Sequence, residues 1–249
     1  MKKKAKILYF DIETSFNIGA FWRPGYKVSL STDQIIEERR IICVCYKWAG
    51  EKKVHTLDWG LKKQCDKSII QKIAPVLAEA DLVVGHNSDR FDLRWLNGRC
   101  LYHGLPPLPA VQTEDTLKMA KKKFDLNGYR LDYLGEYLKV GRKIQTGGLG
   151  LWKRIHFDKC KKSLNEMIAY CIQDVKLLEE VHNKIAPHLE RKVRLFDNDA
   201  LGCQHCGANN HKKDTEYTTR GGTTYVYFHC KDCGTRAKIS KKKYLGAML

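Results

Sequence analysis

The stretch Lys6-Ile7-Leu8-Tyr9-Phe10-Asp11-Ile12-Glu13-Thr14 decides the fold, because a largely apolar run leads directly into two carboxylates spaced two residues apart. In a β-strand the side chains alternate between the faces, so Asp11 and Glu13 point to one face and Ile12 to the other. Neighbouring carboxylates repel each other unless positive charge lies between them. A hard divalent cation such as Mg²⁺ or Mn²⁺ meets that need, since it prefers oxygen ligands. The alternative is an edge strand that carries two solvated acids.

Length, composition and charge indicate a globular protein with an anionic partner. The 249 residues suffice for one good-sized domain and a small appendage, and 43% of them are hydrophobic. The formal net charge is +17, and lysines cluster at 121–123, 161–162, 212–213 and 241–243. A strongly basic protein of this kind commonly binds nucleic acid, whereas a general contribution to solubility is the simpler explanation of the charge.

The N-terminus and the cysteines bear on cellular location. The basic start Met1-Lys2-Lys3-Lys4 resembles that of a signal peptide, but the apolar segment behind it ends at Asp11, too early for a secretory signal. No apolar run reaches the roughly 18 residues of a membrane span. We therefore expect an intracellular, cytoplasmic protein. Its ten cysteines then predict metal ligands and buried thiols rather than disulfides.

Hydrophobic periodicity predicts a mixed α/β domain in the first 190 residues. After the first strand we expect strands at 40–48, 53–57, 81–85 and 110–115, and helices at 68–80, 91–103 and 128–138. The Gly- and Lys-rich segment 139–157 reads as a loop. Ser163-Leu164-Asn165-Glu166 fits a capping box that opens a long helix ending near Lys184. The charged segment 190–201 is the expected domain boundary.

Residues 15–38 read as irregular and interleave aromatic with basic side chains: Phe16, Phe21, Trp22, Arg23, Tyr26 and Lys27. Aromatic and basic residues beside a metal site would stack against and steer a single nucleic-acid strand. An ordinary loop anchored by its aromatics is the alternative.

Two later places in the chain carry acids that belong with Asp11 and Glu13. His86-Asn87-Ser88-Asp89-Arg90-Phe91-Asp92 follows a predicted strand and opens a helix. An acid at a helix start is commonly a cap, which is the alternative role for Asp89 or Asp92. Tyr170 and Asp174 are four residues apart on the long helix and share one face. For this pair the alternative is a half-buried aromatic and a solvated acid.

The C-terminal segment carries two Cys-x-x-Cys-Gly motifs, Cys203 to Gly207 and Cys230 to Gly234, on either side of a predicted β-hairpin. Four thiolates in two pairs match a structural tetrahedral zinc site with Cys203, Cys206, Cys230 and Cys233 as ligands. A unit this small cannot build its own core, so the metal would supply its folding free energy. Cys43 and Cys45 share one strand face and read as core thiols rather than ligands.

The three acidic motifs, taken in order, resemble those of the DEDD superfamily of 3′→5′ exonucleases in its tyrosine subclass. Asp11-Ile12-Glu13-Thr14-Ser15 is similar to the first motif and Tyr170-Cys171-Ile172-Gln173-Asp174 to the third. In the second, Gly85 to Asp92, the family's acid follows an aromatic, which favours Asp92 over Asp89. The likeness is greatest to the exonuclease domain of family B DNA polymerases and to stand-alone, ribonuclease H-like relatives, many of them in phages and bacteria. It covers about residues 5–190, and no polymerase palm follows Leu195.

This resemblance implies a ribonuclease H-like mixed sheet flanked by helices over residues 1–196, followed by a zinc ribbon with a basic tail over 197–249. It implies a two-metal phosphodiester hydrolase that uses Mg²⁺ or Mn²⁺, acts on DNA and releases nucleoside 5′-monophosphates. The implied ligand roles are a bridge between both metals for Asp11, the water-activating ion for Glu13 and Asp174, and the second ion for Asp92. Tyr170 would orient the attacking water. Asn87 would contact the substrate.

Two questions stay open at this level. The ribbon would bind nucleic acid through phosphate contacts from basic residues such as Arg220 and Lys238, or it would dock a replication or repair protein. The catalytic domain would act on DNA, with a ribonuclease of the same fold and a non-catalytic nucleic-acid-binding module as the alternatives.

Overall fold

The computed structural model describes residues 5–25, 28–144, 147–189 and 201–247. The strands of the first part are β1 (Ile7–Thr14), β2 (Ile18–Gly19), β3 (Ile35–Glu37), β4 (Ile41–Trp48), β5 (His55–Asp58), β6 (Leu82–Gly85) and β7 (Thr113–Asp115). Its helices are α1 (Lys67–Ala78), α2 (Asp92–Tyr102), α3 (Thr116–Lys123), α4 (Leu131–Tyr137), α5 (Leu149–His156) and α6 (Lys161–Ile185). Among the described residues, no helix combines the length and apolar character needed to cross a membrane.

Strand β1 lies in the middle of a five-stranded sheet with the order β5-β4-β1-β6-β7. It pairs antiparallel with β4 on one side and parallel with β6 on the other. Leu8, Phe10 and Ile12 of β1 are buried on one face of the sheet, while the face that carries Asp11 and Glu13 lies against α6. The predicted mixed α/β sheet flanked by helices is thus confirmed.

Helix α6 covers the acidic face of the sheet because its apolar residues recur at helical spacing. Met167, Cys171, Val175, Leu178 and Val181 are all buried. Its packing on β1 and β4 brings the third acidic motif next to the first. Two sequence-distant motifs therefore meet through ordinary helix-on-sheet packing.

The predicted capping box at the start of α6 is wrong. The helix begins at Lys161, and its N-cap residue is Cys160. Ser163 lies inside the helix, where its hydroxyl accepts a hydrogen bond from Arg154 Nε at 3.0 Å. The preceding helix α5 supplies that arginine, so a tertiary contact uses the hydroxyl that the local pattern assigned to capping.

The prediction of a loop over 139–157 is also wrong in part, since α5 spans Leu149–His156. Leu151 and Ile155 lie one turn apart and are buried, and the indole Nε1 of Trp152 donates to the carbonyl oxygen of Thr14 at 2.9 Å. Helix α5 is therefore stabilised by burial of these two side chains in the core and by the hydrogen bond to β1. The glycine-rich local sequence does not reveal either contact. Helix α3 was not predicted either; Asp115 caps it by accepting from the N–H groups of Leu117 and Lys118.

The C-terminal unit is a three-stranded antiparallel sheet of order β10-β9-β8 with one short helix. Its elements are β8 (His211–Thr218), β9 (Thr224–Cys230), β10 (Arg236–Ser240) and α7 (Lys241–Gly246). The predicted hairpin corresponds to β8 and β9, while β10 and α7 were not predicted. The expected boundary at 190–201 falls almost entirely outside the described residues, so the division at 196/197 stays a prediction.

Candidate active site and zinc centre

Three of the predicted acids meet where β1 faces α6. One carboxylate oxygen from each of Asp11, Glu13 and Asp174 lies within 4.8 Å of the other two. Asp174 is almost fully buried, and within the described chain its Oδ1 has no hydrogen-bond partner. A buried carboxylate oxygen without a donor, beside two further carboxylates, is the arrangement that a hard divalent cation stabilises. The residues present therefore fit a Mg²⁺ or Mn²⁺ site.

Asp92, the fourth predicted acid, is held against β1 from the other side. It is the first residue of α2 and is buried, and its Oδ1 accepts a hydrogen bond from the backbone N–H of Ile12 at 3.2 Å. It lies outside the three-carboxylate group but close enough to Asp11 to raise that residue's pKa. Asp89, by contrast, pairs with Lys118 at 2.8 Å. The two acids of this motif thus differ in their surroundings: Asp92 lies against β1, and Asp89 pairs with a lysine of α3.

Burial and crowding raise the pKa of every acid in the site. For Asp11, burial is the largest cause of the raised pKa, followed by the carboxylates of Asp92 and Glu13. Burial and then Asp174 raise the pKa of Glu13 to about 8, and burial raises that of Asp92 to about 7. Burial also raises the pKa of Asp174, although Lys143 opposes it. Near neutral pH, protons therefore compete with cations for these oxygens.

Lys143 is the functional-site residue that sequence reasoning missed. Its Nζ forms an ion pair with Asp174 Oδ2 and lies 3.2 Å from the hydroxyl of Tyr170. Burial alone would lower the pKa of Lys143, but Asp174 outweighs burial and raises it. The ammonium group thus supplies positive charge to a cluster of carboxylates. No local motif could reveal it, since Lys143 lies in the glycine- and lysine-rich segment between α4 and α5.

An open groove of about 700 Å³ adjoins the acids and is lined by His86, Asn87, Lys121, Lys143 and Tyr170, among others. Burial, followed by Asp174, raises the pKa of Tyr170 to about 12, which keeps its hydroxyl protonated. Asn87 has a left-handed backbone with φ of 63°, a conformation that asparagine tolerates. Its N–H donates to Asp115 Oδ1 at 2.8 Å. A side chain held at the groove in this way is suited to contact a substrate.

The cysteines nearest the acids are buried thiols. Cys43 and Cys45 lie opposite Glu13 and Asp11 in the β1–β4 ladder and are fully buried, as their predicted core role requires. Cys171 of α6 joins them, with the three sulfur atoms within 4.8 Å of one another, a contact that no local sequence pattern predicted. Cys171 Sγ lies 3.6 Å from Asp11 Oδ2, so this group of buried thiols packs directly against the acidic site.

The aromatic segment before β3 divides into two parts. Phe16 packs against His156 and Phe157 at ring-centroid distances of 5.5 and 6.0 Å, so this aromatic side chain anchors the loop to the domain. Phe21 and Trp22 are exposed, Trp22 to 99%. Tyr26 and Lys27 lie outside the described residues. Stacking of a nucleic-acid strand on this segment stays a prediction.

The four predicted zinc ligands come together in the C-terminal unit. The sulfur atoms of Cys203, Cys206, Cys230 and Cys233 all lie within 4.8 Å of one another; those of Cys203 and Cys233, and of Cys206 and Cys230, are 3.6 Å apart. Four converging thiols in two knuckles fit a tetrahedral zinc ion. Arg220, in the turn between β8 and β9, and Lys238, on β10, belong to this unit and not to the acidic site.

Comparison with known proteins agrees with this geometry. A family described as 3′-5′ exonuclease matches residues 31–190, more than half of the chain; the match includes Asp92 and Asp174 and begins after β1. The structure is similar to that of the family B DNA polymerase from the hyperthermophilic archaeon Pyrobaculum calidifontis, with a TM-score of 0.56 and 18% identity. The similarity covers 74% of this chain and 25% of the polymerase chain. At this identity it shows the fold alone.

A search of curated proteins found no match. The chain spans about a quarter of the length of the polymerase, and the zinc ribbon lies beyond the residues that the family match covers. Three acidic motifs converge on one site within and next to the matched region. The chain belongs to the 3′-5′ exonuclease family.

Proposed function

We propose that the protein is a metal-dependent 3′→5′ exonuclease that hydrolyses DNA from single-stranded 3′ ends and releases nucleoside 5′-monophosphates. The observation that carries this proposal is the convergence of Asp11, Glu13 and Asp174 within 4.8 Å, beside the 700 Å³ groove. Oxygen ligands alone favour Mg²⁺ or Mn²⁺ over softer metals. Two such cations supply charge neutralisation on the phosphate, water activation and stabilisation of the leaving oxygen.

The positions of the acids support one ligand role for each. Asp11 has a carboxylate oxygen within 4.8 Å of oxygens of Glu13 and Asp174 and lies close enough to Asp92 for that acid to raise its pKa, so Asp11 would contribute to holding both cations. Glu13 and Asp174 would hold the first cation and Asp92 the second. Each must lose its proton to act as a ligand, so cation binding would release protons near neutral pH.

Lys143 and Tyr170 act at the edge of the cluster. The ammonium group of Lys143 bonds Asp174 Oδ2, so Asp174 Oδ1, which has no hydrogen-bond partner within the described residues, is the oxygen that would hold a cation. The protonated hydroxyl of Tyr170 would orient the attacking water through a hydrogen bond. Asn87, fixed at the groove by Asp115, would contact the nucleotide at the 3′ end.

DNA is the favoured substrate because the structurally similar protein is a DNA polymerase. The basic ribbon supports a nucleic-acid substrate as well: residues 201–247 contain nine Lys or Arg against three Asp or Glu. Arg220 and Lys238 would contribute phosphate contacts that carry no sequence information.

The direct test is digestion of 5′-labelled single-stranded DNA, and of matched RNA, with Mg²⁺ or Mn²⁺. We expect a ladder of products shortened from the 3′ end, faster on DNA than on RNA. Asp92→Ala should abolish cutting, whereas Asp89→Ala, the control within the same motif, should leave it near the wild-type rate. No product on either nucleic acid with either metal would overturn the proposal in favour of a non-catalytic binding module, and faster cutting of RNA would favour a ribonuclease.

A further inference from the structure

One face of the ribbon sheet presents aromatic rings and a lysine. In an antiparallel sheet, directly opposed residues lie on the same face, and Tyr217 lies opposite Tyr225, while Tyr227 lies opposite Lys238. Tyr225 and Tyr227 are two residues apart on β9, so all four side chains share one face. We call these four residues the tyrosine face. Lys238 Nζ lies 5.7 Å from the ring centroid of Tyr225 and 5.8 Å from that of Tyr227.

The opposite face of the same sheet is already covered. Val226 and Phe228, which alternate with the tyrosines along β9, are buried, and the ring of Tyr244 from α7 lies 6.5 Å from that of Phe228. Tyr217, by contrast, is 57% exposed, and Tyr225 and Tyr227 are half-buried. The apolar side chains of one face are therefore buried by packing within the ribbon, whereas the aromatic rings of the other face remain accessible to a ligand.

The charges around the tyrosine face favour an anionic partner. Asp214 is compensated twice, since it pairs with His229 at 2.5 Å and with Arg236 at 3.1 Å. Glu216 pairs with both Lys213 and Lys241. The charges of these two acids are thus balanced, and the ribbon has three times as many basic as acidic residues. Its electrostatic potential therefore attracts a polyanion such as nucleic acid, whereas a neutral peptide would not be attracted in this way.

A groove joins the tyrosine face to the exonuclease domain. It encloses about 430 Å³ and is lined by Tyr217, Tyr227 and Arg236 from the ribbon and by Lys123 and His188 from the other unit. Lys123 is the last residue of α3. Lys121, in the same helical turn, lines the groove beside the catalytic acids. The end of α3 therefore lies between the two grooves and offers both of them positive charge.

We infer that the tyrosine face binds the single-stranded segment upstream of the 3′ end that occupies the active site. The strand would pass from the catalytic groove along the lysines of α3, with its bases stacked on Tyr217 and Tyr227 and its phosphates near Lys238 and Arg236. Stacking on aromatic rings accepts any base, which suits an enzyme that shortens arbitrary sequences. This inference rests on the proposed function and adds the ribbon as a second, sequence-tolerant binding site.

The test measures binding and hydrolysis separately, each with oligonucleotides of about 4 and about 20 nucleotides, because only the longer one would reach the ribbon. Binding of 5′-fluorescein-labelled oligothymidine is followed by anisotropy in magnesium-free buffer that contains zinc. Wild type should bind the longer oligonucleotide more tightly. Tyr217→Ala/Tyr227→Ala should weaken that binding at least about tenfold, and Tyr217→Phe/Tyr227→Phe should retain it, since the rings remain.

A charge-reversal pair provides a second test that leaves the rings intact. Lys238→Glu should weaken binding of the longer oligonucleotide several-fold more than Lys242→Glu, which makes the same charge change at an exposed residue of α7. Zinc content and protease resistance confirm that each variant is folded. If the double alanine variant does not fold, the inference is tested by Lys238→Glu and Lys242→Glu alone, and equal affinities of these two variants for the longer oligonucleotide overturn it.

The outcomes separate this inference from the proposed function. Hydrolysis of the short oligonucleotide should be the same in wild type and in the tyrosine variants, and its absence in wild type counts against the exonuclease proposal alone. Unchanged affinity of Tyr217→Ala/Tyr227→Ala for the longer oligonucleotide overturns the inference, whatever the nuclease activity, and assigns the ribbon to a protein partner. Equal losses in the alanine and phenylalanine pairs also overturn it, because stacking does not need the hydroxyls.

Discussion

The acidic site and the cysteine site both gather ligands for divalent cations, but the chain builds them in opposite ways. Asp11 and Asp174 come from the two ends of the catalytic domain and meet only because α6 packs on β1. The four cysteines come from two local motifs joined by a hairpin. The acids are supported by a five-stranded sheet with a buried core, whereas in the described part of the ribbon only Val226 and Phe228 are buried apolar residues besides the cysteines. The acidic site therefore depends on the fold of its domain, whereas we expect the fold of the ribbon to depend on a zinc ion bound by the four cysteines.

Removal of zinc should produce the largest effect, because structural zinc supplies on the order of 10 kcal/mol of folding free energy in small domains. A zinc chelator, or Cys230→Ser, should make residues 203–234 protease-sensitive and leave the exonuclease domain's thermal transition in place. Cys65→Ser, at an exposed free cysteine, is the control. Limited proteolysis with mass spectrometry checks this, and an equally resistant ribbon after zinc loss would contradict the contrast between the two sites.

Loss of one carboxylate at the acidic site should abolish chemistry without unfolding the domain. We expect Asp174→Asn to lower kcat at least about a thousandfold, because metal ions contribute several kcal/mol of transition-state stabilisation. Glu166→Gln, an exposed acid on the same helix, should retain activity. Single-turnover digestion measures the rate and circular dichroism the fold. Activity within tenfold of wild type would remove Asp174 from the proposed site.

Tyr170→Phe should have an intermediate effect, since it removes one hydroxyl and keeps the ring. If that hydroxyl orients the attacking water, kcat should fall roughly 10- to 100-fold, the cost of a misplaced reactant, with KM little changed. Tyr137→Phe, at an exposed tyrosine of α4, is the control. A change confined to KM would place Tyr170 in substrate binding instead.

The smallest expected effect is on stability without magnesium. The folded-state pKa values of Asp11, Glu13 and Asp92 are raised, so between about pH 4 and pH 8 the folded state binds more protons than the unfolded state. Stability must then fall as the pH rises through this window. Asp11→Asn removes one of these acids and should stabilise the metal-free protein by about 1 kcal/mol near pH 8.

Thermal unfolding at about pH 5 and pH 8, in magnesium-free buffer that keeps zinc present, tests this expectation. Asp125→Asn, the same substitution at an exposed acid outside the site, is the control. Added Mg²⁺ should stabilise wild type more than Asp11→Asn. If Asp11→Asn proves less stable than wild type at pH 8, the acids are not mutually repulsive in the folded protein.

The sequence predicted best what local patterns determine. The alternation of side chains in β1 predicted that Asp11 and Glu13 share one face, and the two cysteine motifs predicted the ribbon. Both features depend only on residues that are close together in the sequence. Local patterns did not predict features that depend on contacts between distant parts of the chain. Helix α5 depends on burial of Leu151 and Ile155, Ser163 is bonded by Arg154 instead of capping α6, and Lys143 reaches Asp174 from a segment without a pattern. The order of the acidic motifs recovered the long-range assembly only through resemblance to a family.

The position of β1 between two paired neighbours has one more consequence. Seven residues of β1 are in register with β4 and three with β6. A shift of one residue would exchange the two faces of the strand, turning Asp11 and Glu13 into the apolar interior and Phe10 towards α6. Such a slip would have to break both ladders at once. The side on which chemistry occurs is therefore protected by backbone hydrogen bonds, and substitutions elsewhere in the domain can accumulate without reversing it.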